Sequence, residues 1–169
     1  MKKYISLAFM AVALSFGFVI CSVETNEEPG GTNVEKMAGR WDVMVDVVDE
    51  SGNIIYNDPY GIGEITIMTF NTADNSTNKM WLDDNGKFWA FKMKVDINYN
   101  ERSFSCPEQD YDEAGSGTAI VTNGKILENA AKNLHGMPND SIVFDIKFSD
   151  DDYGFIYRIS GQRYTGFYE

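Results

Sequence analysis

The stretch 87-KFWAFKMKVDI-97 decides the fold. From Trp89 onward every second residue is apolar (Trp89, Phe91, Met93, Val95, Ile97), and Lys92, Lys94 and Asp96 occupy the positions between. A period of two describes a strand with one apolar face and one wet face. The same pattern returns in 142-IVFDIKF-148, in 155-FIYRI-159, and in the first strand, where Trp41, Val43, Val45 and Val47 alternate with Asp42 and Asp46. Apolar faces of this kind converge inside a closed sheet.

Strands are expected near residues 40–49, 63–70, 79–83, 87–97, 102–106, 118–122, 125–128, 141–149, 155–160 and 163–168. Tight reversals are read at Glu50-Ser51-Gly52-Asn53, Asp84-Asn85-Gly86, Asn123-Gly124 and Ser160-Gly161-Gln162, two of which contain Asn-Gly. Helical signal is confined to residues 126–134, ahead of Gly136 and Pro138. The expected class is therefore all-β: a single antiparallel meander of about eight to ten strands, closed into a barrel to hide its edges, with little helix.

Outward from this core, residues 1–20 carry Lys2 and Lys3 and then a charge-free apolar run, which is the anatomy of an export signal. Residues 21–37 are polar and acidic with Pro29-Gly30-Gly31, and read as a flexible tether. The barrel domain is assigned to residues 38–169. The formal charge is −12, and without the two signal lysines it becomes −14. Such a chain is repelled by phosphate backbones, so nucleic acid is excluded as a partner.

Catalytic constellations are sparse. His135 is the one histidine, set in Leu134-His135-Gly136-Met137-Pro138, and Gly115-Ser116-Gly117 lacks the strand–turn–helix setting of a nucleophile elbow. Asp83-Asp84 and Asp150-Asp151-Asp152 fall at hairpin ends, where carboxylates are ordinarily solvated, and 83-DDNGK-87 reaches its glycine too early for a calcium loop. With one histidine and no paired cysteines, no metal site is expected. No cofactor is expected either. What remains is the apolar interior. Its candidate ligand-binding residues are Trp89, Phe91, Met93, Phe144, Ile146, Phe155 and Tyr157, with the Tyr157 hydroxyl available to a polar head.

Three resemblances extend this reading. The boundary 18-FVICSVETNEEPGG-31 resembles a bacterial lipoprotein signal, although Ile20 stands where such signals carry a small residue. The likeness implies acylation of Cys21 and a membrane anchor rather than a disulfide to Cys106. The triplet 39-GRW-41 resembles the opening of the lipocalin barrel, which implies that Trp41 closes the base against Arg158 or Arg163. The runs 70-FNTADN-75, 80-MWLDDNGKFWAFKMKV-95, 123-NGKI-126, 140-DSIVFDIKFSDD-151 and 159-ISGQRYTGF-167 together resemble the lipid-binding putative hydrolases, a family of calycin- or lipocalin-like lipoproteins.

That resemblance implies an anchored barrel at the outer membrane, on its periplasmic or cell-surface face, holding a lipid or other small hydrophobic ligand. No residue matches the hydrolase part of the label, so binding without turnover is the expected function. The alternatives are a solidly packed barrel serving as an interaction module, and a weak lipid esterase.

Overall fold

Nine strands form in the computed structural model, which describes residues 31–166, and alternating apolar residues drive those that build the barrel. They are β1 (Gly39–Val48), β2 (Ile54–Asn57), β3 (Ile65–Asn71), β4 (Lys79–Asp83), β5 (Lys92–Asn98), β6 (Ser103–Asp110), β7 (Thr118–Lys132), β8 (Pro138–Phe148) and β9 (Ile156–Arg163). Every pairing is antiparallel between spatial neighbours, and β9 returns to pair with β1 from Val48↔Ile156 to Trp41↔Arg163. Eight strands thus close a barrel, and β2 adds a short extra strand against the upper part of β1. Among the described residues there is no helix. The expected closed all-β meander is the observed fold.

Each alternation delivers its apolar set to the interior. Trp41, Val43, Val45 and Val47 of β1, Met93 and Val95 of β5, Ile142, Phe144, Ile146 and Phe148 of β8, and Tyr157 and Ile159 of β9 are all buried in one cluster. Burying side chains of this size contributes about 1.5–3 kcal/mol each before the entropy of ordering them is counted.

Three local expectations are corrected. Residues 126–132 continue β7 as strand, and the chain reverses only at 133–137. Asn123-Gly124 is not a hairpin turn: it is a bulge inside β7, where Gly124 faces Phe104 and a Cβ would stand 2.4 Å from that residue's ring. Ser160-Gly161-Gln162 is likewise interior to β9, on the seam with β1. In both places glycine marks a close approach of neighbouring chain rather than a reversal.

The base of the barrel is closed by Trp41. Its indole Nε1 donates to Thr69 Oγ1 at 2.9 Å, and the Thr69 hydroxyl donates to the Met37 carbonyl at 2.6 Å. The Arg163 guanidinium lies 4.3 Å from the indole centroid and donates to the Ala38 carbonyl at 2.6 Å. Arg163, not Arg158, is thus the base arginine. A Cβ on Gly39 would meet Arg163 Nη1 at 2.4 Å, so the glycine of Gly-x-Trp leaves room for the guanidinium. Arg158 points outward and pairs with Asp145 at 2.8 Å. Val34 and Met37, in the segment read as tether, are buried in the core cluster, so the chain enters the domain at this base.

Candidate functional site

The opposite end of the barrel is closed by a segment that the opening stretch conceals. β5 begins only at Lys92, and residues 84–91 wind around one carboxylate. Asp84 is fully buried. Its Oδ1 accepts from the Gly86 amide at 2.9 Å, and its Oδ2 accepts from the amides of Phe88 at 3.0 Å, Trp89 at 2.8 Å and Ala90 at 2.9 Å. Asp84 is therefore no solvated hairpin-end residue. Its buried charge is held by backbone N–H groups, the arrangement a desolvated carboxylate requires. Ala90 takes a positive φ of 57°, which completes the wrap.

This wrap swings Phe88 and Trp89 over the barrel mouth. Trp89 stacks on Phe148 with centroids 4.6 Å apart and planes 8° from parallel. Phe88 meets Tyr157 edge-on at 5.0 Å, and Phe91 and Tyr111 also contact Phe148. The ring series continues outward. Tyr60 touches both Phe88 and Tyr157, Phe155 touches Tyr157, and Tyr56 and Tyr153 flank Phe155. Exposure rises along it: Tyr157 is buried, Tyr60 is 46% exposed, Tyr56 55% and Tyr153 72%. A path of aromatic surface therefore runs from solvent into the top of the core.

Polar atoms sit along one side of that path. The Tyr157 hydroxyl donates to Asp151 Oδ2 at 3.1 Å and lies 2.7 Å from the Tyr60 hydroxyl, so Tyr60 donates to Tyr157. Tyr111 donates to Asp150 Oδ2 at 2.9 Å, and Trp89 Nε1 donates to Asp150 Oδ1 at 3.2 Å. Burial, reinforced by the bond to Asp150, pushes the Tyr111 phenol up to about 12. Burial first, then the bond to Tyr60 and the Asp151 charge, raises Tyr157 beyond the ordinary range.

Both phenols hold their protons in the folded state after a free tyrosine ionises at about pH 10. Their contribution to stability is fully present below about pH 10 and is lost as the pH rises through the folded values, because the unfolded chain loses its protons first. Tyr111 and Tyr157 are therefore expected to lag behind a free tyrosine in an ultraviolet phenolate titration. The urea midpoint is expected to fall from about pH 10 upward. Phenolate signals that all rise together near pH 10 would contradict the buried geometry.

The seven residues read from sequence divide between two levels. Trp89, Phe91, Phe155 and Tyr157 converge on the mouth, whereas Met93 and Phe144 lie among the buried side chains lower in the barrel, Phe144 against Phe104 at 5.6 Å, and Ile146 is the buried β8 partner directly opposite Tyr157. Sequence reading missed Tyr60, Phe88, Tyr111 and the two aspartates as part of this site. Tyr60 and Phe88 stand in irregular segments, where no periodicity marks an inward side chain. Phe148 was legible as the last member of its alternation.

Other features lie elsewhere. A cleft of about 380 Å³ opens between β5, β6 and the β7 bulge, and one of about 400 Å³ flanks Ser160 and Lys132; neither is lined by any of the seven. His135 is exposed in the β7–β8 turn, at the base end. Cys106 is a free buried thiol whose pKa burial raises to about 11, and Cys21 falls outside the described residues. Among the described residues no three His, Cys, Asp or Glu side chains gather as metal ligands. Residues 26–168 match the family described as "lipid-binding putative hydrolase". No curated protein matches the chain.

Proposed function

The chain belongs to the lipid-binding putative hydrolase family, and from that premise we propose that it binds the hydrocarbon part of a lipid at the aromatic mouth, without turnover. The observation that carries this reading is the graded ring series, from exposed Tyr153 and Tyr56 through Phe155 to buried Tyr157 and Phe148. An alkyl chain laid along it exchanges water for aromatic faces, with Phe88 and Trp89, held by Asp84, forming the rim. Acylated Cys21 is the membrane tether in this reading, at the outer membrane, and the chain enters the barrel domain opposite the mouth.

Magnitudes bound the affinity. Burying a chain of about ten carbons yields roughly 8 kcal/mol. Association costs about 4 kcal/mol or more, which leaves millimolar binding from the tail alone.

Binding without turnover fits the layout, since His135 lies at the base end and the mouth holds phenols, an indole and two carboxylates. The test is a titration with 1-decanoylglycerol, a neutral single-chain ester. The expected result is a saturable one-to-one change in Trp89 fluorescence with no release of decanoate. No saturable change would overturn the binding reading. Decanoate release that disappears in His135→Ala would overturn the absence of turnover.

A further inference from the structure

Resting on the mouth as the ligand site, we infer that its ligand carries a cationic head: a single-chain amphiphile ending in an ammonium group, not a carboxylate or phosphate. The first ground is the hydrogen-bond inventory. At the inner part of the ring series the polar hydrogens are already given away: Trp89 Nε1 and Tyr111 to Asp150, Tyr157 to Asp151, and Tyr60 to Tyr157. The amides of Tyr153 and Phe155 are spent on Asp151, and those of Phe88, Trp89 and Ala90 on Asp84. An anion beside Asp150 and Asp151 would have to displace these bonds to reach a donor. A cation finds spare carboxylate lone pairs and the faces of Tyr60, Trp89 and Phe88, which attract positive charge through their quadrupoles.

The second ground is the field. The connections at the mouth end, residues 49–53, 58–64, 84–91, 111–117 and 149–155, carry ten acidic residues and one lysine, Lys87. The segments at the base end, 32–38, 72–78, 99–102 and 133–137, carry three acidic residues and two basic ones. Charge is thus concentrated at the aromatic end. Among the described residues no lysine or arginine forms an ion pair with Asp150 or Asp151. The potential over the mouth draws cations and repels anions, and the rings supply the apolar seat that a bare acidic surface lacks.

The test compares decyltrimethylammonium with decanoate, two soluble probes with tails of similar length, alongside neutral 1-decanoylglycerol. The ammonium is expected to bind at least about tenfold tighter than decanoate at low salt, with a ratio that shrinks as salt is added. Asp150→Asn/Asp151→Asn is expected to bring the ratio within about twofold. Asp150→Asn alone is expected to lower it partly, since its amide oxygen still accepts from Trp89 and Tyr111. Glu101→Gln, at the base end, keeps the full ratio and excludes general attraction to an acidic protein. If 1-decanoylglycerol binds while decanoate matches the ammonium, the head-group assignment is overturned and the mouth still stands. An undiminished ratio in the double variant overturns the assignment as well. If none of the three binds, both readings fall.

Discussion

Gly161→Ala is expected to destabilise the protein by at least about 3 kcal/mol, more than ordinary overpacking of a core position. The physical reason lies in the seam that closes the barrel. A Cβ on Gly161 would sit 2.0 Å from the Asp42 carbonyl oxygen and 2.6 Å from Val43 Cα, both backbone atoms of β1. Backbone cannot rotate aside as a side chain can, so β9 and β1 must separate locally. The pairs on either side, Asp42↔Gln162 and Met44↔Ser160, then stretch. The comparison is Gly86→Ala, where open space surrounds the new methyl and the cost comes from φ of +67°. That cost is expected to be about 1–2 kcal/mol. Urea denaturation of the two variants reads the difference directly, and equal midpoints would contradict the tight seam.

Asp84→Ala carries a loss of similar size by another route. The substitution leaves the amides of Gly86, Phe88, Trp89 and Ala90 without their acceptor. Unsatisfied donors cost about 1–3 kcal/mol each when buried, and partial access of water to an opened loop moderates the sum, so a loss of about 3–5 kcal/mol is expected. The distinctive consequence is optical. Trp41 is buried at the base and stays so, while Trp89 loses its stack on Phe148 and moves into water. A red-shifted fluorescence component in the folded variant, absent from Asp84→Ala/Trp89→Phe, is the expected signature. A variant as stable as the parent would contradict the role assigned to this carboxylate.

These two positions also show where the sequence was legible and where it was not. Alternation fixes which side of a strand a residue faces, so Trp41 to Val47, Met93 to Val95 and Ile142 to Phe148 could be assigned inward without a structure. The barrel follows from those faces. Glycine is ambiguous by nature: the lack of a Cβ serves a reversal at Gly52 and a backbone approach at Gly161, and the local letters do not distinguish them. Length could have helped, because β9 broken at Gly161 leaves two fragments too short to seal the seam.

The stretch 87–97 was misleading in a specific way. Trp89 falls in phase with Phe91 and Met93, yet it belongs to a loop organised by a residue five positions earlier. Four amides converging on Asp84 is a tertiary fact without periodic trace. The mouth was legible only in part for the same reason. Tyr157 and Phe91 lie on or beside regular strands, and Tyr60 and Phe88 reach it from irregular segments. Arg163 was one of two candidates for the base, and only the closure of β9 on β1 distinguishes it from Arg158.

The central claim is that an alkyl chain occupies the ring series at the end of the barrel opposite the chain's entry. Amide chemical-shift mapping of the isotope-labelled domain with 1-decanoylglycerol tests this most directly. The account predicts saturable shifts at Tyr60, Phe88, Trp89, Phe148, Phe155 and Tyr157, with the base around Trp41 and Arg163 unmoved. Shifts confined to the base or to the clefts of the outer wall, or no saturable shifts, would contradict it.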